Sequence, residues 1–121
     1  MANSKYKRVL LKLSGESFCK PGGFGIDGEE LGSIAERLVQ LCKLGPQVGV
    51  VVGGGNFLRG EKFAHASQIP QNTADYMGML ATIINACALQ ETLEKLGQPT
   101  RVMSAIEVSA ICEPFIRRRA L

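Results

Sequence analysis

Three consecutive glycines, Gly53, Gly54 and Gly55, follow the run Val50-Val51-Val52 and precede Asn56, with Arg59 a turn further on. This reads as a buried strand delivering bare backbone to a sheet edge. Such glycines can take positive φ and let an anion reach main-chain N–H groups with no Cβ in the way, and a helix capped by Asn56 would add its positive end. A merely flexible turn is the plain alternative, and the arginine close behind favours a phosphate site. A second cation, Lys12, interrupts the apolar stretch of residues 7–14. An ammonium in a buried strand needs compensation, so Lys12 is expected near the strand's exit, facing a partner. Snorkelling from an edge strand competes with that reading. The small residues Ser14 and Gly15 directly after it favour contact with a ligand.

The elements that must position these groups follow from periodicity and punctuation. Residues 7–14 and the stretch from Val48 read as strands with both faces covered. Asp27 and Glu30 form a capping-box pattern ahead of a helix over 28–44, with Leu31, Ile34, Ala35, Leu38, Val39 and Cys42 on one face and Gly45-Pro46 ending it. Residues 15–28 read as a loop or short hairpin. A long helix is predicted over 73–96, closed by Gly97 and Pro99, apolar nearly all round from Met77 to Leu89, which suggests contact with another subunit. Asn85 in its middle needs a hydrogen-bond partner, and Asp75 falls in its first turn, where a carboxylate suits the helix dipole. Residues 100–104 read as a third strand and the arginines at 117–119 as a solvated helix face.

Composition narrows the classes. With 121 residues, 45% hydrophobic and 21% charged, the chain holds one core rather than two domains. A net charge of +3 gives no warrant for a nucleic-acid or membrane-surface protein. Cys19, Cys42, Cys87 and Cys112 make no CxxC pair, and with the single His65 there is no zinc pattern. A reducing, cytoplasmic setting is the simplest reading, and the short apolar run after the basic N-terminus fits neither a signal peptide nor a membrane span. Residues 23–28 match GxGxxG formally, but Cys19-Lys20-Pro21-Gly22 stands where the dinucleotide fingerprint needs a strand.

The order strand, helix, strand, helix, strand makes two crossover units of a parallel sheet, an α/β fold whose ligands sit beyond the strands' carboxyl ends. Lys12 to Gly15, the glycine triplet and Ser104-Ala105 are therefore expected to converge. Lys12, Arg59 and backbone donors around one cleft suit phosphoryl groups. There is no GxxxxGK[ST] and no Ser-His-Asp or Cys-His set. Phosphoryl transfer needs mainly positioning and charge neutralisation, which this inventory could supply.

Several phrases together resemble the bacterial uridylate kinases of the amino-acid-kinase superfamily: residues 11–16, 23–27, 49–56, Arg59-Gly60, Asp75 to Thr82 (specific to the uridylate branch) and Met103 to Ala105. The resemblance spans essentially the whole chain and implies a three-layer αβα domain with a mainly parallel sheet, of which residues 1–121 would be the N-terminal half. It implies transfer of the ATP γ-phosphate to UMP for pyrimidine nucleotide biosynthesis, with Mg2+ carried by ATP, no metal held by protein residues, and assembly as a homohexamer or lower oligomer. By motif, Lys12 and Arg59 would be catalytic. Lys12, Leu13, Ser14, Gly15, Gly55 and Arg59 would bind ATP, and Gly54 and Asp75 would bind UMP. Lys20, Pro21, Gly22, Gly23, Phe24, Gly25 and Arg101 match segments linked to activation by GTP, although Gln90 stands where some members carry arginine. The family's chains continue into a second half that completes the UMP pocket and supplies a catalytic aspartate and the adenine loops. The expectation is that these 121 residues alone are inactive or nearly so. Another phosphotransferase of the superfamily and a non-catalytic assembly module are the competing readings.

Overall fold

The computed structural model describes residues 5–58 and 66–121. Strand β1 (Arg8–Leu13) and strand β2 (Gln47–Val52) pair in parallel, with Lys12 opposite Val51 and Leu13 opposite Val52. Helix α1 (Gly28–Lys43) crosses between them. Side chains alternate strictly along both strands. Leu11, Leu13, Val50 and Val52 turn inward, while Leu10 and Val51 stand 74% and 50% exposed. The expectation of two covered faces is thus met on one face only. An apolar run shows that a strand can be buried on both sides, but the layer that would bury it is a tertiary matter.

Helix α1 starts as its sequence requires: Asp27 Oδ1 accepts the Glu30 N–H at 3.0 Å. The cap is one-sided, because the Asp27 N–H goes to Phe18 O at 2.7 Å instead of to the Glu30 side chain. Gly45 takes φ +104° just past the helix, ahead of Pro46. Helix α2 (Gln71–Lys95) begins two residues before the expected start. Asp75 therefore lies in its second turn, beyond the strongest reach of the dipole, and its Oδ1 accepts from Gln71 Nε2 at 2.8 Å. The helix ends in a Schellman arrangement, with Gly97 N–H on Glu94 O and Gln98 N–H on Leu93 O, both at 3.0 Å, and Gly97 at φ +86°.

The inner face of the sheet packs on both helices. Phe18, Ala35, Leu38, Leu89 and Leu93 form the buried centre, flanked by Leu11, Leu13, Val50 and Val52. Phe18 ends a 3-10 turn (Gly15–Phe18), so residues 15–28 contain a turn and a loop and no hairpin. The third strand also departs from expectation. Only Met103–Ser104 is extended (β3), and it pairs in parallel with Glu113–Pro114 (β4) in a separate two-stranded sheet. Val102 and Cys112 are drawn into a second small core with Ile83, and Arg101 pairs with Glu113, which ties this segment to its own neighbour in sequence. One crossover unit is formed among the described residues, not two. The chain closes with the short helix α3 (Arg117–Ala120), whose arginines are exposed as expected. No helix among the described residues is long and apolar enough to cross a membrane.

Candidate functional site

A groove of about 540 Å³ opens at the carboxyl ends of β1 and β2, between them and the N-terminal half of α2. Lys12, Ser14, Gly15 and Glu16 line it from the first strand, Gly53 to Gly55 and Leu58 from the second, and Asp75, Gly78, Met79 and Thr82 from the helix. The parallel register puts Lys12 and the glycine triplet on the same rim. Of the residues expected to converge, Lys12, Ser14, Gly15, Gly54, Gly55 and Asp75 do so. Ser104 does not line the groove, because β3 belongs to the other sheet. Arg59, with Gly60, lies outside the described residues.

The triplet is built differently from its expected form. None of its glycines takes a positive φ; at Gly53 and Gly54 what excludes a side chain is the close approach of other backbone. A Cβ on Gly15 would stand 2.3 Å from Gly55 N and 2.7 Å from Gly54 C, and a Cβ on Gly54 would stand 2.7 Å from Gly78 O. The turn is wedged between the exit of β1 and a notch of small residues on α2. Gly53 N–H continues the strand ladder to Leu13 O at 2.9 Å. No hydrogen bond among the described residues takes the N–H of Gly54 or Gly55. Two main-chain donors at a groove mouth are the raw material of an anion site.

Asn56 does not cap a helix. Residues 54–58 form a turn, with Phe57 N–H on Gly54 O at 3.0 Å, and the Asn56 side chain points inward, 3% exposed. It meets Asn85, 0% exposed, in a reciprocal amide pair with distances of 3.0 and 2.7 Å, which supplies the partner that Asn85 was expected to need. An asparagine directly after a glycine turn satisfies a capping pattern as readily as a buried pair, so the sequence could not separate the two. Lys12 is exposed on the open rim, and the Leu13 side chain packs into the core, which leaves only its backbone for a ligand. Ser14 Oγ lies 3.2 Å from Ser17 Oγ. Among the described lining residues one cation faces two carboxylates, Glu16 and Asp75. Among the described residues, phosphate affinity at this rim would rest on Lys12, the Gly54 and Gly55 N–H groups and any cation carried in with the ligand. No group of three or more His, Cys, Asp or Glu among the described residues could hold a metal ion.

The segments expected to respond to GTP stand apart from the groove. Lys20 is ringed by carboxylates: Glu29 at 3.1 Å, Asp27 at 3.8 Å and Glu30 at 3.9 Å. Its hydrogen bond to Glu29, and then the charges of Asp27 and Glu29, raise its pKa. Phe24 is 77% exposed and sets its ring edge-on to Phe57 at 5.7 Å. Arg101 lines a separate hollow of about 340 Å³ with Gln90 and Glu113. It holds Glu113 in a bidentate pair, Nε to Oε2 at 2.9 Å and Nη2 to Oε1, and these bonds lower the carboxyl's pKa.

The strand–helix–strand unit, with the glycine turn and Lys12 on one rim, falls within residues 7–117, which match the amino acid kinase family, to which this chain belongs. Within that family it is similar to the uridylate kinase of Methylococcus capsulatus, with 50% identity over all 121 residues and half of the relative's length. The crystal structure of UMP kinase from Bacillus anthracis superposes with a TM-score of 0.88 at 40% identity, covering 95% of this chain and 47% of the other. The UMP kinase of Ureaplasma parvum gives 0.85 at 33% identity, covering 93% and 49%. The amino-acid-kinase fold expected from the sequence is therefore present, and the chain spans about half the length of the relatives it matches.

Proposed function

We propose that the groove is the phosphate-handling half of a uridylate kinase site, in which the γ-phosphate of ATP passes to UMP. The observation that carries this reading is the gathering of Lys12, Ser14, Gly15, Gly54, Gly55 and Asp75 in one groove beside two backbone N–H groups that no other described residue takes, in a chain half identical to a uridylate kinase. A phosphate oxygen of UMP attacks the γ-phosphorus, the bond to the β–γ bridging oxygen breaks, and ADP leaves. Lys12 neutralises charge on the transferred group, and Ser14, Gly15, Gly55 and Arg59 surround the ATP phosphates, with the backbone of Leu13 beside them. Gly54 and Asp75 hold UMP, and Mg2+ arrives with ATP. Little covalent help from protein is needed for such a transfer.

Turnover requires the half of the fold that these residues do not include, so the 121-residue chain binds nucleotide without appreciable catalysis. Calorimetric titration with ATP and with UMP, beside a coupled assay for ADP release, tests this. Absence of binding sinks the site, and turnover near that of the full-length relatives sinks the division of labour. Control by GTP through residues 20–25 and Arg101 belongs to the same reading. A second reading, a non-catalytic assembly module, draws on the side of α2 away from the groove, where Tyr76, Leu80 and Ile84 are 47–59% exposed. The same residues would serve a homohexamer of the enzyme. Light scattering with and without nucleotide separates the two, since a module associates with no response to nucleotide.

A further inference from the structure

The Asn56–Asn85 pair is fully occupied. Beyond the two bonds between the amides, Asn56 Nδ2 gives its second hydrogen to Gly25 O at 2.8 Å, and Asn85 Nδ2 gives its second to Gly53 O at 2.8 Å. The main chain adds Gly25 N–H on Asn56 O at 2.8 Å. No buried side-chain polar atom among the described residues lacks a partner. If this were only core, an apolar pair of similar shape would serve as well or better, because buried polar pairs gain little net stability. What an apolar pair cannot do is grip a carbonyl at each of two separate places in the chain. The grip falls on Gly53 O at one end of the glycine turn and on the Asn56 side chain at the other. Gly54 and Gly55, whose N–H groups no other described residue takes, lie between the two anchors.

We infer that Asn56 and Asn85 are positioning residues that hold the Gly54 and Gly55 N–H groups in place for phosphate and, through Gly25, tie the 20–25 loop to the state of the groove. The inference rests on the groove's being a phosphate site. Donors fixed before the ligand arrives lose nothing to reorganisation, which is how a second layer of side chains makes backbone amides effective.

The test uses inorganic triphosphate and Mg-ATP as probes of the 121-residue chain, by calorimetry. Asn85→Ala is expected to weaken both probes by about tenfold or more, the scale of losing one hydrogen bond to a charged group. Asn85→Asp is weak at neutral pH, where its carboxylate has no hydrogen for Gly53 O or Asn56 Oδ1. It recovers as pH falls and protonation returns one donor, whereas the wild type shows no such recovery. Wild-type affinity in a folded variant overturns the inference alone. A wild-type chain that binds neither probe overturns the groove reading and the inference with it. Where the variants do not fold, amide exchange on the wild type decides. At ligand about 100-fold above Kd, exchange at Gly25 N–H slows by up to about 100-fold, while Phe115 N–H, bonded to Ser104 O at 2.8 Å in the second sheet, keeps its rate. Equal exchange at Gly25 with and without ligand overturns the inference.

Discussion

Replacing Gly15 by alanine puts one methyl group against the glycine turn, where the exit of β1 meets residues 54–56. The added Cβ would lie 2.3 Å from Gly55 N, 2.7 Å from Gly54 C and 2.7 Å from Asn56 Oδ1. Non-bonded heavy atoms settle at about 3.5–4.0 Å, so the glycine turn must retreat by about 1 Å. Two of the three obstructing atoms are backbone and the third is locked in the Asn85 pair, so no flexible side chain can swing aside. The cost should fall at the upper end of the ~1–3 kcal/mol typical of overpacking. Gly32→Ala is the matched control. It lies inside α1, nothing stands within 4 Å of its would-be Cβ, and a helix interior gains about 0.5–1 kcal/mol from the exchange. Urea denaturation followed by far-ultraviolet circular dichroism should move the two midpoints in opposite directions at similar slopes. Gly15→Ala within about 0.5 kcal/mol of wild type, the spread of a neutral surface change, would refute the claim that close backbone packing dictates glycine here.

Three further outcomes follow from single contacts. Asp27→Ala removes the bond to Glu30 N–H and should cost about 1 kcal/mol in the same denaturation experiment, and no loss would mean that the cap is dispensable. Lys12→Gln, on an exposed rim residue, should leave the midpoint within about 0.5 kcal/mol while weakening ATP, and unchanged ATP affinity would remove Lys12 from the site. Glu113 has its carboxyl pKa held down by hydrogen bonding to Arg101, so the pair's contribution is present above the ordinary carboxyl range and is lost as pH falls through the depressed value. Arg101→Gln should return the Glu113 titration, followed by nuclear magnetic resonance, to that ordinary range, and an unmoved titration would show that the pair does not exist in solution.

The sequence by itself determined the elements whose signals are local. Asp27 and Gly45-Pro46 bound α1 because a cap and a chain reversal depend on a few adjacent residues, and Gly97 closed α2 for the same reason. It also determined that Lys12 and the glycine triplet share a rim, since a strand–helix–strand crossover leaves its two strands parallel and their carboxyl ends side by side. Tertiary structure alone decided what the glycines are for. Their spacing is equally compatible with positive φ and with close approach, and only the position of α2 and of Gly15 selects the second. It decided as well that Asn56 turns inward to Asn85, because a buried amide is worth forming only where its partner stands ready, 29 residues away. The third strand pairs with β4 instead of joining β1 and β2, and Val102 beside it packs against Ile83 and Cys112, contacts between segments far apart in sequence that no local pattern records.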